Sequence, residues 1–340
     1  MRHLITGFIL VILLTSCESD QTKGSRFFLK GNEELNNGNF REAIRFYTEA
    51  LDKYPELEDA YNNRGVAYYK LGDYFNAIQD YSKVILELDA EDANARGNRV
   101  DAYLASGRNE DALRDLKWAE DFFPDSAVVD FKKGLANFAL KEYEASAQNF
   151  EVAFKKDPAD VEALVNAANA YYFYNEFDQA EIKLNAAEKL DPTEANIYNT
   201  RCMMAIAKRD YTSAMAHIEE ALSYDATNGV YLNNRGFLKL MRGDIAAGAK
   251  DIDRAIITDP ENAWAYRNKG IFYFMDGRYT DAQRNFIQAS RIESDMPFLD
   301  YFWGLTLLKL DKEQEGCIRL KQSVDRSEPE AKPAFAEYCT

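Results

Sequence analysis

Side chains that commonly carry catalysis or bind metals are scarce in this sequence. The 340 residues include two His and four Cys, and His217 is the only His beyond the apolar N-terminal segment. Neither a Cys-x-x-Cys nor a His-Glu-x-x-His spacing is present, so we expect no zinc site. A Gly-rich phosphate loop and a Gly-x-Ser-x-Gly turn are also missing. We therefore predict no catalytic residue, no metal, no cofactor and no enzymatic activity.

Cys17 is the residue whose surroundings point most directly to a covalent modification. An apolar run from Leu4 to Leu14 follows a short basic start and precedes Thr15, Ser16 and Cys17. The run is shorter than the ~20 residues that cross a bilayer, and its layout is that of a secretory signal peptide. With a Cys at the cleavage point it resembles the lipobox of bacterial lipoproteins. The alternative is an ordinary cleaved signal.

The lipobox resemblance has consequences for location. It implies that the Cys17 thiol receives a diacylglyceryl group and that residues 1–16 are removed as a signal peptide. Residues 17–25 would then be the lipidated Cys and a short polar tether. The protein would be lipid-anchored in the bacterial cell envelope, expected at the outer membrane, with the periplasmic and surface faces both open.

The charge balance narrows the range of partners. The formal net charge is −16, from 41 basic and 57 acidic residues, and hydrophobic residues make up 46% of the chain. An acidic surface repels phosphate backbones, so we expect no nucleic-acid partner. It also lacks the basic cluster that binds anionic lipid, so membrane attachment must come from the acyl chains.

The remaining chain repeats every 34 residues, with one extra residue between the second and third repeats. Apolar residues in each half of a repeat recur at three- and four-residue spacing, which predicts two amphipathic helices per repeat. Gly ends the first helix of several repeats, because it adopts the left-handed conformation at low cost. These stops are Gly38, Gly72, Gly107, Gly243 and Gly277. A second Gly lies inside the first helix, at Gly31, Gly65, Gly134, Gly236, Gly270 and Gly304.

This period, with small and aromatic residues at fixed places, resembles the tetratricopeptide repeat. The resemblance covers residues 24–330 and implies an all-α fold, a right-handed superhelical solenoid of about nine helix-turn-helix units. The units begin near residues 24, 58, 93, 127, 161, 195, 229, 263 and 297. Residues 331–340 would form a C-terminal tail or short cap. Cys317 and Cys339 would meet only if that tail folds back.

A basic residue precedes the internal Gly position in seven repeats. These residues are Lys30, Arg64, Arg99, Lys133, Arg201, Arg235 and Lys269. The second helix often carries an acid at a fixed place, as at Asp80, Asp115 and Asp251. We favour a ladder of ion pairs between neighbouring helices. The alternative is a cationic stripe that binds carboxylates.

The resemblance also implies which residues face the concave groove. In similar proteins these lie on the first helices, and the corresponding residues here are Asn62, Asn166, Asn169, Asn199, Asn233, Trp264, Arg267, Phe298 and Tyr301. Amides can bond a peptide backbone, and aromatic and Arg side chains are common energetic anchors at interfaces. Some of these side chains could instead be inter-repeat core.

The leading functional hypothesis is a lipid-anchored envelope scaffold or adaptor. It would bind a protein or peptide segment in the groove, for example during envelope assembly. The alternative is a surface lipoprotein that binds glycans or nutrients by stacking Trp264, Phe298, Tyr301 and Trp303 on sugar rings.

Overall fold

The computed structural model describes residues 19–339, and these residues form helices and turns with no β-strand. The all-α class predicted from the periodicity is therefore confirmed. The predicted signal peptide, residues 1–16, and Cys17 lie outside the described residues, as does Thr340. The chain divides between Lys156 and Asp157 into two compact units, each with its own packed helices.

The first unit contains four helix pairs. They are α1 (Asp20–Asn36) with α2 (Phe40–Lys53), α3 (Glu58–Lys70) with α4 (Tyr74–Lys83), α5 (Ala93–Ala105) with α6 (Asn109–Phe122), and α7 (Ala127–Ala139) with α8 (Tyr143–Lys156). Helix α4 continues into a π-helical turn, Val84–Leu88. A π-helical turn holds more residues than an α-helical one. It accommodates the extra residue between the second and third repeats.

The second unit contains five helix pairs and one further helix. They are α9 (Val161–Phe173) with α10 (Phe177–Leu190), α11 (Ala195–Ala207) with α12 (Tyr211–Tyr224), α13 (Gly229–Met241) with α14 (Ile245–Thr258), α15 (Ala263–Met275) with α16 (Tyr279–Ile292), α17 (Leu299–Leu308) with α18 (Glu313–Asp325), and finally α19 (Ala331–Tyr338). Helix α19 packs on α18, and a disulfide joins Cys317 to Cys339. The tail therefore does fold back.

The turn inside each pair contains one residue in the left-handed conformation. In five pairs it is the predicted Gly, with φ between 72° and 87°, at Gly38, Gly72, Gly107, Gly243 and Gly277. In the other four pairs a residue with a side chain takes the same place, with φ between 57° and 63°, at Lys141, Asn175, Arg209 and Asp311. The repeat thus keeps the turn geometry even where its sequence signal is lost.

Close contact between the two helices of a pair depends on the internal Gly. A Cβ added at Gly270 would lie 2.5 Å from Cε1 of Phe286, which is fully buried on the second helix. The same relation joins Gly31 to Tyr47, Gly65 to Tyr81 and Gly134 to Phe150. The large ring 16 residues later fills the space that the missing side chain leaves.

Three ion pairs of the predicted ladder are present, each with two hydrogen bonds. Arg64 donates through two nitrogens to Asp80 at 2.8 Å each, and Arg99 does the same to Asp115 at 2.7 Å each. Arg235 donates to Asp251 at 2.7 and 2.9 Å. Each of these ion pairs links the two helices of one repeat. Their basic residues therefore hold the helices together and do not form a free cationic stripe.

Candidate functional site

A cavity of about 510 Å³ lies within the second unit. Residues of the first helices α9, α11, α13 and α15 form its walls. The segment before α17 and the loop between α18 and α19 close another side. Cavities of this size are typical of ligand sites in proteins.

Five aromatic side chains contribute to the cavity wall. Tyr172 and Phe173 come from the end of α9, Phe237 from α13 and Trp264 from α15, and Phe298 immediately precedes α17. The ring centroids of Phe237 and Phe298 are 5.9 Å apart. Rings arranged in this way favour apolar and aromatic side chains of a ligand, which they remove from water.

Two loops hold the closing side of the cavity in place. The backbone N–H of Phe298, a residue with φ of 64°, donates to Oε1 of Glu328 at 2.9 Å. Glu328 lies between α18 and α19, and the following Glu330 forms an ion pair with Arg209 at the end of α11. The C-terminal loop is therefore fastened both to the segment before α17 and to the opposite wall.

Arg267 is the most unusual side chain of the cavity. It is only 4% exposed, yet it lines the cavity. Its Nη1 donates to the carbonyl oxygen of Pro297 at 2.9 Å, and its Nε and Nη2 donate to Oδ1 of Asn268 at 3.0 and 2.7 Å. The guanidinium lies 4.6 Å from the ring centroid of Trp264. Burial lowers the pKa of Arg267 to about 10, so the group is still charged at neutral pH.

The structure brings together four of the residues predicted to face the groove. Asn233, Trp264, Arg267 and Phe298 line this one cavity. Tyr301 lies on α17 and is not part of the lining; its ring contacts Phe302 instead.

The other predicted residues are asparagines outside the cavity lining. Asn166 and Asn169 lie on α9, Asn199 lies on α11, and Asn62 lies on α3 of the first unit. Most predicted asparagines use their amides to join adjacent first helices. Asn98 donates to Asn62, Thr200 to Asn169, Asn234 to Asn199, and Asn268 to Asn233, at 2.6 to 3.0 Å. These side chains connect the stack, which limits the hydrogen bonds that they can offer to a ligand.

The four aromatics considered for sugar stacking do not share one surface. Trp264 and Phe298 line the cavity, whereas Trp303 is buried in the core with the Arg319 guanidinium 3.7 Å from its ring centroid. Tyr301 lies elsewhere on α17. Nothing in this placement favours a carbohydrate platform.

Sequence reasoning missed several cavity residues. Tyr172 and Phe173 close the end of α9, and Pro297 and Glu328 belong to the closing loops. Neither loop has a repeat signature, because both depart from the 34-residue pattern. The aromatic cluster at residues 171–174 was a signal that would have identified the α9 wall.

No group of three His, Cys, Asp or Glu side chains within residues 19–339 is placed to hold a metal ion. Cys202 is a free, buried thiol, and burial raises its pKa to about 12. A thiol of that kind is inert, because the thiolate is the reactive form.

The fold and site define a class of protein: a helical repeat array in which several first helices line one cavity. Two tetratricopeptide repeat models match the sequence, one at residues 28–94 and 98–161 and another at residues 252–284. The chain is a tetratricopeptide repeat protein, and repeats of this family support protein–protein interaction scaffolds.

Solved structures agree with this fold. The Cut9–Hcn1 hetero-tetramer of the APC/C is similar at 14% identity and a TM-score of 0.60, over 96% of this chain and 78% of that one. A monomeric mutant of IFIT1 with Gppp-AAAA is similar at 14% identity and a TM-score of 0.60, over 90% and 80% of the two chains. At this identity the likeness concerns the fold alone. No curated protein matches the sequence.

Proposed function

We propose that this protein is a lipid-anchored scaffold of the bacterial cell envelope that binds a segment of another protein in the cavity of its second unit. The observation that carries the proposal is the aromatic cavity. Five aromatic residues from four different parts of the chain converge there around a buried Arg. A concave, mostly apolar site with a few polar groups is typical of ligand-binding pockets.

The size and chemistry of the cavity suit a protein segment. A volume of about 510 Å³ accommodates a few side chains. Trp264 and Phe298 offer apolar contact, and aromatic residues dominate the energetics of many interfaces. Asn234 and Asn262 also line the cavity, and the amide groups that they do not use in their bonds to Asn199 and Ala265 can bond the backbone of the segment. Nucleic acid is a poor alternative, because a chain of net charge −16 repels phosphates.

Attachment to the membrane rests on Cys17 in this proposal. None of the helices within residues 19–339 is long and apolar enough to span a bilayer. A lipidated Cys17 with two or more acyl chains would give stable anchoring. Cys17→Ser should release the protein from the membrane fraction and abolish labelling with palmitate. Full retention of both would contradict the anchor.

The binding site is tested by a matched pair of variants. Trp264→Ala removes a cavity ring, and Tyr301→Ala removes a ring on α17 that does not line the cavity. Proteins co-purified with the tagged chain from envelope extracts are quantified by mass spectrometry. We expect a specific partner to fall about tenfold or more with Trp264→Ala and to persist with Tyr301→Ala. Circular dichroism controls for folding, and equal recovery from both folded variants would refute the site.

A further inference from the structure

Arg267 has no carboxylate partner, unlike Arg99, the other buried arginine among residues 19–339, and unlike the half-buried Arg235. Arg99 and Arg235 each donate through two nitrogens to an aspartate on the next helix. Among residues 19–339, no Asp or Glu lies within ion-pair distance of Arg267. Its hydrogen bonds go to a neutral amide and a neutral carbonyl. A buried charge without an opposite charge destabilises a protein. A role for Arg267 other than stability is therefore expected.

The nearest candidate partner within the chain is already engaged. Glu328 also lines the cavity and is close enough to influence Arg267 electrostatically. Its Oε1, however, accepts the N–H of Phe298, and its Oε2 accepts the hydroxyl of Ser323. Both carboxylate oxygens therefore accept hydrogen bonds within the closing loops, and neither is hydrogen-bonded to Arg267.

The guanidinium of Arg267 retains unused hydrogen-bonding capacity. Arg carries five N–H donors, and three are used in its bonds to Pro297 and Asn268. Each terminal nitrogen therefore keeps one N–H without a partner among residues 19–339. Two such donors can bind one carboxylate in a bidentate fashion. Arg209 and Arg326 also line the cavity, but they form ion pairs with Glu330 and Asp300, so Arg267 is the lining arginine that has no ion pair among residues 19–339.

We infer that the segment bound in this cavity carries an acidic side chain, Asp or Glu, whose carboxylate pairs with Arg267 while a neighbouring aromatic or large apolar side chain packs on Trp264 and Phe298. This inference rests on the proposed function and names the chemistry of its ligand. The inferred pair would neutralise the buried charge in a water-poor site, where charge-assisted hydrogen bonds are strong.

A side chain fits the depth of Arg267 better than a chain terminus does. Arg267 is 4% exposed, and its guanidinium lies 5.4 Å from the ring centroid of Phe237 and 4.6 Å from that of Trp264. A terminal carboxylate at that depth would also carry the last backbone amide of the ligand below the surface, and an unpaired buried amide is costly. A Glu side chain places two methylenes between its carboxylate and its Cα, so its backbone stays farther from Arg267 than that of a terminal residue.

The test uses blocked hexapeptides with a central Glu flanked by Leu, Phe, Tyr or Trp, and identical peptides with a central Gln. Binding to the full lipidated chain in detergent is measured by fluorescence anisotropy. We expect the best Glu peptides to bind about tenfold or more tightly than their Gln counterparts. Equal affinity of the two series would overturn the inference. A third series tests the terminus: binding by Gln peptides that requires a free C-terminal carboxylate would also overturn it.

Variants connect the preference to Arg267. Arg267→Met keeps the bulk of the side chain and should abolish the preference for Glu peptides over Gln peptides. Arg267→Lys keeps the charge without the bidentate geometry and should reduce the preference in part, so it serves if the Met variant does not fold. Arg235→Met removes a paired arginine outside the cavity and should leave the preference unchanged. A preference that survives in a folded Arg267 variant contradicts the assignment.

The outcomes separate this inference from the proposed function. If Glu and Gln peptides bind equally and both lose affinity with Trp264→Ala, the cavity binds protein segments but does not select acids. If neither series binds and Trp264→Ala leaves partner recovery unchanged, the cavity is not the binding site and both proposals fail.

Discussion

Gly270 allows a direct test of how the two helices of a repeat are held together. An Ala Cβ at this position would lie 2.5 Å from Phe286, whereas ordinary contact begins at 3.4 Å, so the buried ring must move by the difference. Overpacking of this kind costs about 1–3 kcal/mol. Replacing Gly inside a helix returns about 0.5–1 kcal/mol. We therefore expect Gly270→Ala to lower the free energy of unfolding by about 1–2 kcal/mol.

Gly97 supplies the control, because it lies inside α5 and a Cβ there meets no atom within 4 Å. Gly97→Ala should stabilise the protein by about 0.5–1 kcal/mol. Denaturant unfolding gives the overall change, and hydrogen exchange should locate the loss to α15 and α16, since repeat arrays need not unfold in one step. Combining Gly270→Ala with Phe286→Leu should restore part of the stability. A Gly270→Ala protein as stable as the Gly97→Ala protein would refute the packing argument.

Two further predictions concern the ladder and the turns. Burial alone would raise the pKa of Asp251, but hydrogen bonds from Arg235 and Lys239 outweigh it and hold the pKa below its usual value. The stability that this carboxylate contributes is therefore present at neutral pH and is lost on acidification below the usual pKa. We expect Asp251→Asn to lower the free energy of unfolding by about 2 kcal/mol at neutral pH. Denaturant titrations at several pH values should also show that the stability of this variant depends less on acid. An unchanged denaturation midpoint in the Asp251→Asn protein would contradict this prediction. Lys141 has a φ of 63°, a backbone conformation that Gly adopts at lower cost. Lys141→Gly should therefore stabilise the protein by about 0.5–1 kcal/mol in thermal unfolding. A loss of stability would show that the Lys141 side chain matters more than the backbone strain.

Much of the fold follows from local sequence chemistry. The internal Gly and the aromatic residue 16 positions later are complementary in shape, so their recurrence predicts a close helix pair, as at Gly270 and Phe286. Gly38 and its equivalents predict the turns. The ion pairs were also predictable, because a basic and an acidic residue at a constant separation on paired helices must meet.

The rest depended on information that lies outside the repeat pattern. The segment before α17 and the loop after α18 close the cavity, but no periodic signal marks them. The left-handed turn at Arg209 contains no Gly, so the sequence does not predict it. The isolation of Arg267 is a tertiary property, since it depends on Glu328 being engaged by Phe298, 30 residues away along the chain. The asparagines were assigned to a groove by resemblance, whereas their bonds run between adjacent helices.

The central claim is that a protein segment occupies the cavity of the second unit. A photo-crosslinking amino acid at Met203, which lines the cavity, tests it most directly, with Ile257 on α14, 79% exposed and outside the lining, as the control position. Cross-linking in cells, followed by peptide mapping, should join Met203 to one continuous segment of a partner. That product should disappear with Trp264→Ala and should not form from Ile257. Capture of the same segment from both positions, or undiminished capture in the folded Trp264→Ala protein, would contradict the account.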